Sequence, residues 1–272
     1  MFSSMLNNCT LSGNSAIRGD GGGVWNGVLS NCTLSGNTAN WGGGGAYGGM
    51  LNNCTLSGNT ASGVGGGTAD GFLDNCIIYY NSALNGPNYY NSTLSYSCTT
   101  PDPGGSGNIT NEPRLVSASH IASDSPCVGT GNAAYASGLD IDGESWLNPP
   151  SIGVDEPYGS TTGTLSVAIS AAYTQVVVGF EAPFTALIEG PATGSTWNFG
   201  DGNGLTNRPY ASHAWGATGS YAVVLTAWNA DYPGGVACTV MVSVADQPVC
   251  YVNVSNATPA YPYASWATAA TN

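Results

Sequence analysis

The stretch NCTLSGN occupies residues 8–14 and returns at 31–37 and 53–59. Cysteines in and after these copies stand 22 or 23 residues apart, at Cys9, Cys32, Cys54, Cys76 and Cys98. Two other series keep this step, the asparagines Asn14, Asn37, Asn59 and Asn81 and the leucines Leu6, Leu29, Leu51 and Leu73. Glycine triplets begin at 21, 43 and 65. A period this constant predicts a repeat architecture in which each copy forms one structural unit.

Each copy has the pattern of a short strand followed by a turn. Cys54 and Leu56 are two residues apart and therefore face the same side of a strand. Gly58-Asn59 then marks a turn. We predict an all-β fold that begins with a right-handed parallel β-helix of about 22 residues per lap. Its laps would stack at about 4.8 Å, the usual distance between paired strands.

Stacked laps place equivalent side chains above one another. We expect the cysteines and leucines to face inward and fill a narrow core. The asparagines after the glycines are expected to adopt a left-handed turn conformation and to hydrogen-bond to their copies in the next lap. The predicted structural ladder comprises Cys9, Cys32, Cys54, Cys76, Cys98, Asn14, Asn37, Asn59 and Asn81.

Charge limits the partners of this chain of 272 residues. The net charge is −13, lysine is absent, and the only basic residues are Arg18, Arg114 and Arg208. Nucleic-acid binding requires clustered cations, so this class of function is excluded. No apolar stretch reaches the length of a membrane span. The composition favours a protein of the cell surface or the extracellular space.

The first 157 residues resemble the C-terminal part of right-handed parallel β-helix proteins of secreted bacterial type. The NCTLSGN laps and the segments 86–115, 123–132 and 139–157 carry this resemblance. It implies a β-helix closed by a C-terminal cap and an extracellular location. It leaves the function open, because that architecture carries lyases, adhesins and structural proteins.

A second module follows a linker at 158–164. Residues 165–246 contain alternating strand-like runs separated by turns, the pattern of a β-sandwich. The stretch 195–229 resembles the polycystic-kidney-disease (PKD) domain, an immunoglobulin-like module common in extracellular proteins. The residues that carry this resemblance are Trp197, Phe199, Gly200, Asp201, Gly202, His213, Trp215, Gly219, Tyr221 and Val223.

The tail, residues 247–272, resembles the segment that opens a further β-helix domain. The N-terminus lacks the pattern of a secretion signal. Two interpretations remain open: this chain is a segment of a longer tandem protein, or residues 250–272 dock on the first laps of a neighbouring copy and build a head-to-tail filament. The candidate self-association residues are Tyr251, Val252, Tyr261, Tyr263 and Trp266.

Few residues have the pattern of a catalytic or metal site. The charged groups of residues 1–98 are Arg18, Asp20, Asp70 and Asp74, too sparse for polysaccharide cleavage, so we predict no enzyme activity and no cofactor. Acidic residues stand at every second position in Asp140, Asp142 and Glu144, and their carboxylates are weak candidates for binding Ca²⁺. A structural turn is favoured over a metal site. Ladder thiols are expected to stay reduced; Cys127, Cys238 and Cys250 could pair in an oxidising environment.

Two further features concern the surface. The sequons at Asn91, Asn108, Asn253 and Asn256 are candidate glycosylation sites. A flat β-helix face with Trp25, Trp41 and Tyr47 could bind carbohydrate by ring stacking. Because these aromatics sit in or beside glycine-rich turns, packing between laps or a subunit contact is an equal alternative. The preferred function is a non-catalytic extracellular structural protein that associates with itself or with neighbouring domains. A carbohydrate-binding or adhesion module is the alternative, and a polysaccharide-degrading enzyme ranks third.

Overall fold

The computed structural model describes residues 4–158, 161–247, 255, 257 and 258. These residues form strands, bridges, turns and loops without a helix. A parallel β-solenoid of about four turns is followed by an immunoglobulin-like domain, so the predicted all-β class is confirmed.

Each lap of the solenoid contributes short strands to four parallel sheets. The laps contain β1 Met5–Asn7, β2 Thr10–Ser12, β3 Ser15–Ala16, β4 Val24–Trp25, β5 Val28–Ser30, β6 Thr33–Ser35, β7 Thr38–Ala39, β8 Ala46–Tyr47, β9 Met50–Asn52, β10 Thr55–Ser57, β11 Thr60–Ala61, β12 Thr68–Ala69, β13 Phe72–Asp74, β14 Ile77–Tyr79, β15 Tyr89–Tyr90, β16 Thr93–Ser95 and β17 Cys98–Thr99. The sheet orders are β1-β5-β9-β13-β16, β2-β6-β10-β14-β17, β3-β7-β11 and β4-β8-β12-β15.

Leucines occupy the core position of the first sheet. Leu6 pairs with Leu29, Leu29 with Leu51, Leu51 with Leu73 and Leu73 with Leu94. Their side chains alternate with outward-facing neighbours because successive residues of a strand point to opposite faces. Equal laps therefore bring identical side chains into one column.

Asparagines after the glycine turns form a continuous hydrogen-bonded column. The backbone N–H and Nδ2 of Asn37 both donate to Oδ1 of Asn59, at 2.9 Å each, and Asn59 makes the same pair of bonds to Asn81. The expected left-handed conformation is wrong for these asparagines. Positive φ belongs instead to the preceding glycines, such as Gly58, and to the first asparagine of each NCT triplet, such as Asn53.

The last lap departs from the predicted cysteine column. Cys98 pairs with Ile77 rather than with Cys76, and Ser97 takes the ladder position, where its hydroxyl oxygen accepts from the backbone N–H of Cys76. The cause is a lap of 21 residues, visible in the pairing of Leu73 with Leu94. Cys98 therefore faces away from the solenoid core and was assigned wrongly to the inward ladder.

The chain after the last lap returns along the outside of the solenoid. We call residues 113–157 the return segment. Amide groups of the first asparagines of the NCT triplets hold it: Nδ2 of Asn75, Asn53 and Asn31 donates to the carbonyl oxygens of Asn132, Tyr135 and Leu139, respectively. Its contact with the second sheet buries Thr55 completely. The segment thus covers one side of several laps.

The second domain is a sandwich of two sheets, ordered β18-β20-β23 and β19-β25-β24-β21-β22. Its strands are β18 Ser166–Ala171, β19 Gln175–Val177, β20 Ala182–Glu189, β21 Gly194–Asn198, β22 Gly204–Thr206, β23 Tyr210–His213, β24 Gly219–Trp228 and β25 Val236–Ala245. Trp197, Trp215 and Phe199 are the largest buried side chains. The indole N–H of Trp215 donates to the carbonyl of Phe199, which satisfies its buried polar atom.

The sandwich packs on the solenoid and on the return segment. Tyr210 lies over Gly58, with its hydroxyl 3.3 Å from that of Ser57. Val116 of the return segment belongs to an apolar cluster with Leu165 of the sandwich. This junction buries apolar surface from both domains and so favours one relative arrangement.

Candidate functional site

One corner of the solenoid carries an exposed aromatic and apolar surface. Sheet β4-β8-β12-β15 ends at this corner, and sheet β1-β5-β9-β13-β16 begins there. We call the outward side chains of these two sheets and of the turn between them the corner surface. Because paired strands repeat every lap, each class of side chain forms a column parallel to the solenoid axis.

Aromatic residues form the first column. Trp25 pairs with Tyr47, Tyr47 with Ala69, and Ala69 with Tyr90. Trp25 and Tyr47 are half-buried, whereas Tyr90 is 45% exposed. The predicted binding face is therefore partly assembled. Trp41 is exposed but lies outside this column, in the turn between β7 and β8, where its carbonyl accepts a hydrogen bond from the backbone N–H of Gly63.

Apolar side chains form the second column, which sequence reasoning missed. Met5, Val28, Met50 and Phe72 are paired in register and exposed, with values up to 84% for Met5. The available signal was an apolar residue directly before each core leucine. A strand that alternates inward and outward must place such a residue on the surface.

Polar side chains occupy the turn between the two columns. Asn26, Asp70 and Asn91 all adopt positive φ there. Nδ2 of Asn91 donates to Oδ1 of Asp70 at 2.5 Å. Gly48 holds the equivalent turn position in the second lap. Only glycine fits there, because a Cβ would lie 2.0 Å from Oδ1 of Asn26. The corner surface thus combines apolar faces with fixed amide and carboxylate groups.

Neighbouring carboxylates affect the ionisation of Tyr47 within this surface. Its bond to Asp70, its partial burial and the negative charges of Asp70 and Asp20 raise the pKa of Tyr47 to about 12. The hydroxyl therefore stays protonated at neutral pH.

The carboxylates of Asp70 and Asp74 have different neighbours. Asp70 is paired with Asn91, whereas Asp74 lies beside Ser95 and Tyr135, and burial raises the pKa of Asp74. The two groups share no bonding partner among the described residues.

Three ionisable groups lie close together in the return segment, two of them, His120 and Asp155, buried; of the three, the sequence singled out Asp142 alone. One ligand atom from each of His120, Asp142 and Asp155 lies within 4.8 Å of the others. Nε2 of His120 is 3.0 Å from Oδ2 of Asp142, and Oδ2 of Asp155 accepts from the backbone N–H of Ile121 at 2.8 Å. The residues are far apart in sequence, so only the fold brings them together.

Burial and charge shift the proton affinities of this cluster. Burial raises the pKa of Asp155 to about 7, against the opposing charge of His120. Burial works to lower the pKa of His120, but the hydrogen bond to Asp142 and the nearby carboxylates raise it above its ordinary value. Both effects follow from several acids surrounding one imidazole.

Asp140, a weak Ca²⁺ candidate from the sequence, is occupied by backbone groups. Its Oδ1 accepts from the N–H groups of Asp142 and Glu144, and its Oδ2 accepts from that of Glu156. Asp140 is fully buried. This geometry matches the structural turn that the sequence favoured, and it separates Asp140 from the neighbouring cluster of His120.

The histidine of the sandwich has a packing role. The ring of His213 stacks on Phe199 with centroids 4.3 Å apart, and its Nε2 lies 2.8 Å from Oδ2 of Asp201. Burial works to raise the pKa of Asp201, but bonds from His213 and Asn203 hold it below its ordinary value. The pair joins two loops of the sandwich.

The described cysteines are free thiols. Cys32, Cys54 and Cys76 are buried in the core, Cys9 and Cys238 are half-buried, and Cys98 and Cys127 share a cluster beneath the return segment. Cys250 lies outside the described residues.

The predicted glycosylation sites differ in their surroundings. Asn91 is exposed. Nδ2 of Asn108 donates to the carbonyl oxygens of Leu94 and Gly104, which engages its amide. Two of the predicted sites, Asn253 and Asn256, and all five predicted self-association residues, Tyr251, Val252, Tyr261, Tyr263 and Trp266, lie outside the described residues.

Comparison with known proteins identifies the second domain. Residues 164–244 match the family model of the PKD domain. The chain therefore contains a PKD domain that follows a parallel β-solenoid of about four turns, as the sequence predicted. PKD domains are typical of extracellular proteins. No described segment forms a helix long and apolar enough to cross a membrane.

Solved structures also resemble part of the chain. One is described as carbohydrate-binding modules from the β-sandwich superfamily, with 17% identity, a TM-score of 0.29, and coverage of 38% of this chain and 40% of the other. Another is the PKD domain of human SorCS2, with 21% identity, a TM-score of 0.26, and coverage of 43% and 94%, respectively. A search of curated proteins found no match.

Proposed function

We propose that this chain is a non-catalytic binding module of an extracellular protein and that the corner surface binds a neutral polysaccharide. A PKD domain beside a solenoid fits an extracellular adhesion or binding module. The observation that carries the proposal is the pairing of an aromatic column with an exposed apolar column across a polar turn.

Carbohydrates present apolar C–H faces and polar edges at the same time. Trp25 and Tyr90 offer aromatic faces, while Asp70 and Asn91 offer hydrogen-bonding groups beside them. Aromatic rings suit this task because they combine a large apolar area with little conformational freedom. Exposed apolar patches rimmed by polar groups commonly mark interaction sites.

The repeat favours an extended polymer over a compact ligand. Exposed apolar side chains recur in four successive laps, about 4.8 Å apart along the axis. A polymer lying along the columns would meet similar groups several times, and several weak contacts would add to a useful affinity.

Charge selects among polysaccharides. The chain has a net charge of −13, and Asp20 and Asp70 lie at or beside the aromatic column. Polyanions such as acidic polysaccharides would be repelled. A neutral glucan, xylan or chitin is the proposed class of ligand.

Retention of the full chain on neutral polysaccharides tests this function. Affinity electrophoresis in gels containing β-glucan or xylan, with chitin and cellulose pull-downs, should show retention. Tyr90→Ala should weaken it about three- to tenfold, from the ~0.5–1.5 kcal/mol of an aromatic contact. Tyr173→Ala, which removes a 52% exposed tyrosine of the PKD domain, is the matched control.

Two outcomes would contradict the proposal. If no neutral polysaccharide retards the chain, the proposed binding function is wrong. If Tyr90→Ala binds as tightly as the wild-type chain, the assignment of the binding site to the corner surface is wrong. Release of reducing ends or unsaturated sugars during incubation would contradict the non-catalytic role.

Self-association is the second candidate function. Among the residues that the structure describes, strands β1 to β4 of the first lap pair with the second lap only, and Met5 and Ile17 are 84% and 76% exposed there. Unpaired strand edges with apolar side chains favour association. We propose that residues 250–272 of a neighbouring copy dock on this lap. Deletion of 250–272 should abolish filaments or oligomers seen by electron microscopy and light scattering; assemblies that persist would refute the docking.

A further inference from the structure

Three side chains of the return segment meet at one point although they come from separate turns. His120 lies within the hairpin closed by the Leu115–Ile121 bridge, Asp142 belongs to the turn around Asp140, and Asp155 lies near the end of the segment. We infer that His120, Asp142 and Asp155 form a binding site for one Zn²⁺ ion. This site is separate from the corner surface and does not depend on the proposed function.

The ligand atoms are already close enough to share an ion. Nε2 of His120 and Oδ2 of Asp142 are 3.0 Å apart, and the atom offered by Asp155 lies within 4.8 Å of both. Ligands about 2.0–2.2 Å from one zinc ion are themselves roughly 3–3.5 Å apart in tetrahedral geometry. Small side-chain movements therefore suffice.

Neighbouring groups hold each ligand in place. Nδ1 of His120 lies 2.8 Å from the hydroxyl of Ser117, which leaves Nε2 as the nitrogen that faces the carboxylates. The backbone N–H of Asp142 donates a hydrogen bond to the carboxylate of Asp140, and the carboxylate of Asp155 accepts one from the backbone N–H of Ile121. Such second contacts orient metal ligands and raise affinity.

The local charge calls for a cation. Five acids lie between residues 140 and 156, and the chain contains no lysine. Arg114 and Arg208 are paired with Asp124 and Glu112, away from the cluster. His120 is thus the only potential cation with a described contact to these acids. A divalent ion would offset charge that burial makes costly.

The donor set selects the kind of ion. One imidazole nitrogen with two carboxylates suits zinc, whereas Ca²⁺ prefers six to eight oxygen ligands. Asp140 cannot add oxygens readily because backbone groups use its carboxylate. The Asp142 side chain is 20% exposed, so an ion can enter from solvent and keep a water as its fourth ligand. Binding would displace the proton from Nε2 if His120 is charged.

Titration of the full, reduced, EDTA-treated chain with ZnCl₂ tests the site. Isothermal titration at pH 7.5 should give one ion per chain, and the melting temperature should rise with zinc concentration because the ion binds the folded state. Asp142→Asn should weaken binding at least tenfold. Glu144→Gln, which changes a neighbouring acid outside the ligand set, should bind as wild type.

Cobalt distinguishes this site from the thiols. Co²⁺ bound to nitrogen and oxygen ligands should show weak visible bands without the strong near-ultraviolet thiolate absorption. Absence of zinc binding, undiminished binding by Asp142→Asn, or thiolate bands in the cobalt spectrum would each overturn the inference. Asp142 is a partly exposed turn residue. The circular dichroism spectrum of the Asp142→Asn variant should therefore match that of the wild-type chain. His120→Gln provides an independent second variant.

Discussion

Replacement of Asn59 by alanine is the sharpest perturbation of the solenoid. Oδ1 of Asn59 accepts both the backbone N–H and the Nδ2 group of Asn37, and Asn59 is fully buried. Alanine removes this acceptor while leaving the backbone unchanged. The backbone N–H of Asn37 and one N–H of its Nδ2 group then lose their acceptor in a position that water does not reach, whereas Nδ2 keeps its other bond, to the carbonyl of Leu11.

The cost follows from the number of groups left unpaired. A buried polar group without a partner costs about 1–3 kcal/mol, so two donors give about 2–6 kcal/mol, before any cavity is counted. Asn14 is the matched control. It is the exposed first member of the same column, and its backbone N–H still donates to Asn37 after Asn14→Ala. That variant should lose less than about 1 kcal/mol.

Urea unfolding followed by far-ultraviolet circular dichroism measures the difference. Hydrogen exchange of peptides from the laps shows whether the lost stability belongs to the solenoid. Unfolding of the PKD domain is followed separately by the fluorescence of its buried tryptophans, Trp197 and Trp215. Asn59→Ala should open the laps on both sides of the substitution. If Asn59→Ala and Asn14→Ala destabilise the chain equally, the reasoning from the buried column is refuted.

Three further predictions concern other parts of the structure. Gly44→Ala should abolish folding of the solenoid, because its Cβ would lie 2.3 Å from a carbonyl oxygen of the next lap, whereas Gly216→Ala, in open space, should melt as wild type. Without metal, the unfolding free energy should fall as pH rises from about 4 to 7, by up to about 1.4 kcal/mol per pH unit. The sign follows because the folded pKa values of Asp155 and His120 lie above their unfolded values; Asp155→Asn should flatten the profile measured by urea titration. Tyr210→Ala, which removes one of the contacts between the two domains, should widen the separation between their calorimetric transitions; an unchanged unfolding profile would contradict the contribution of Tyr210 to the coupling.

The repeat made the solenoid predictable. A period of 22 residues places Leu29 over Leu51 and Asn37 over Asn59 without reference to any long-range contact. Cys98 shows the limit of this reasoning. Its spacing from Cys76 keeps the period, but the loss of one residue elsewhere in the lap shifts it to the opposite face.

The functional candidates were less accessible from sequence. Tyr47 and Trp25 were singled out as aromatic residues in or beside glycine-rich turns, and the structure pairs them in one column. The cluster of His120 and Asp155 was not found, since these residues are 35 positions apart and meet only after the return segment folds on the second sheet. No local pattern encodes that contact.

Hydrogen exchange of the full chain, with and without the polysaccharide that retains it best, tests the proposed binding surface most directly. Bound polymer should slow exchange in peptides covering 46–52 and 68–74, with little change in 164–244. Protection confined to the PKD domain, or no protection at saturating polysaccharide, would contradict the assignment of carbohydrate binding to the solenoid corner.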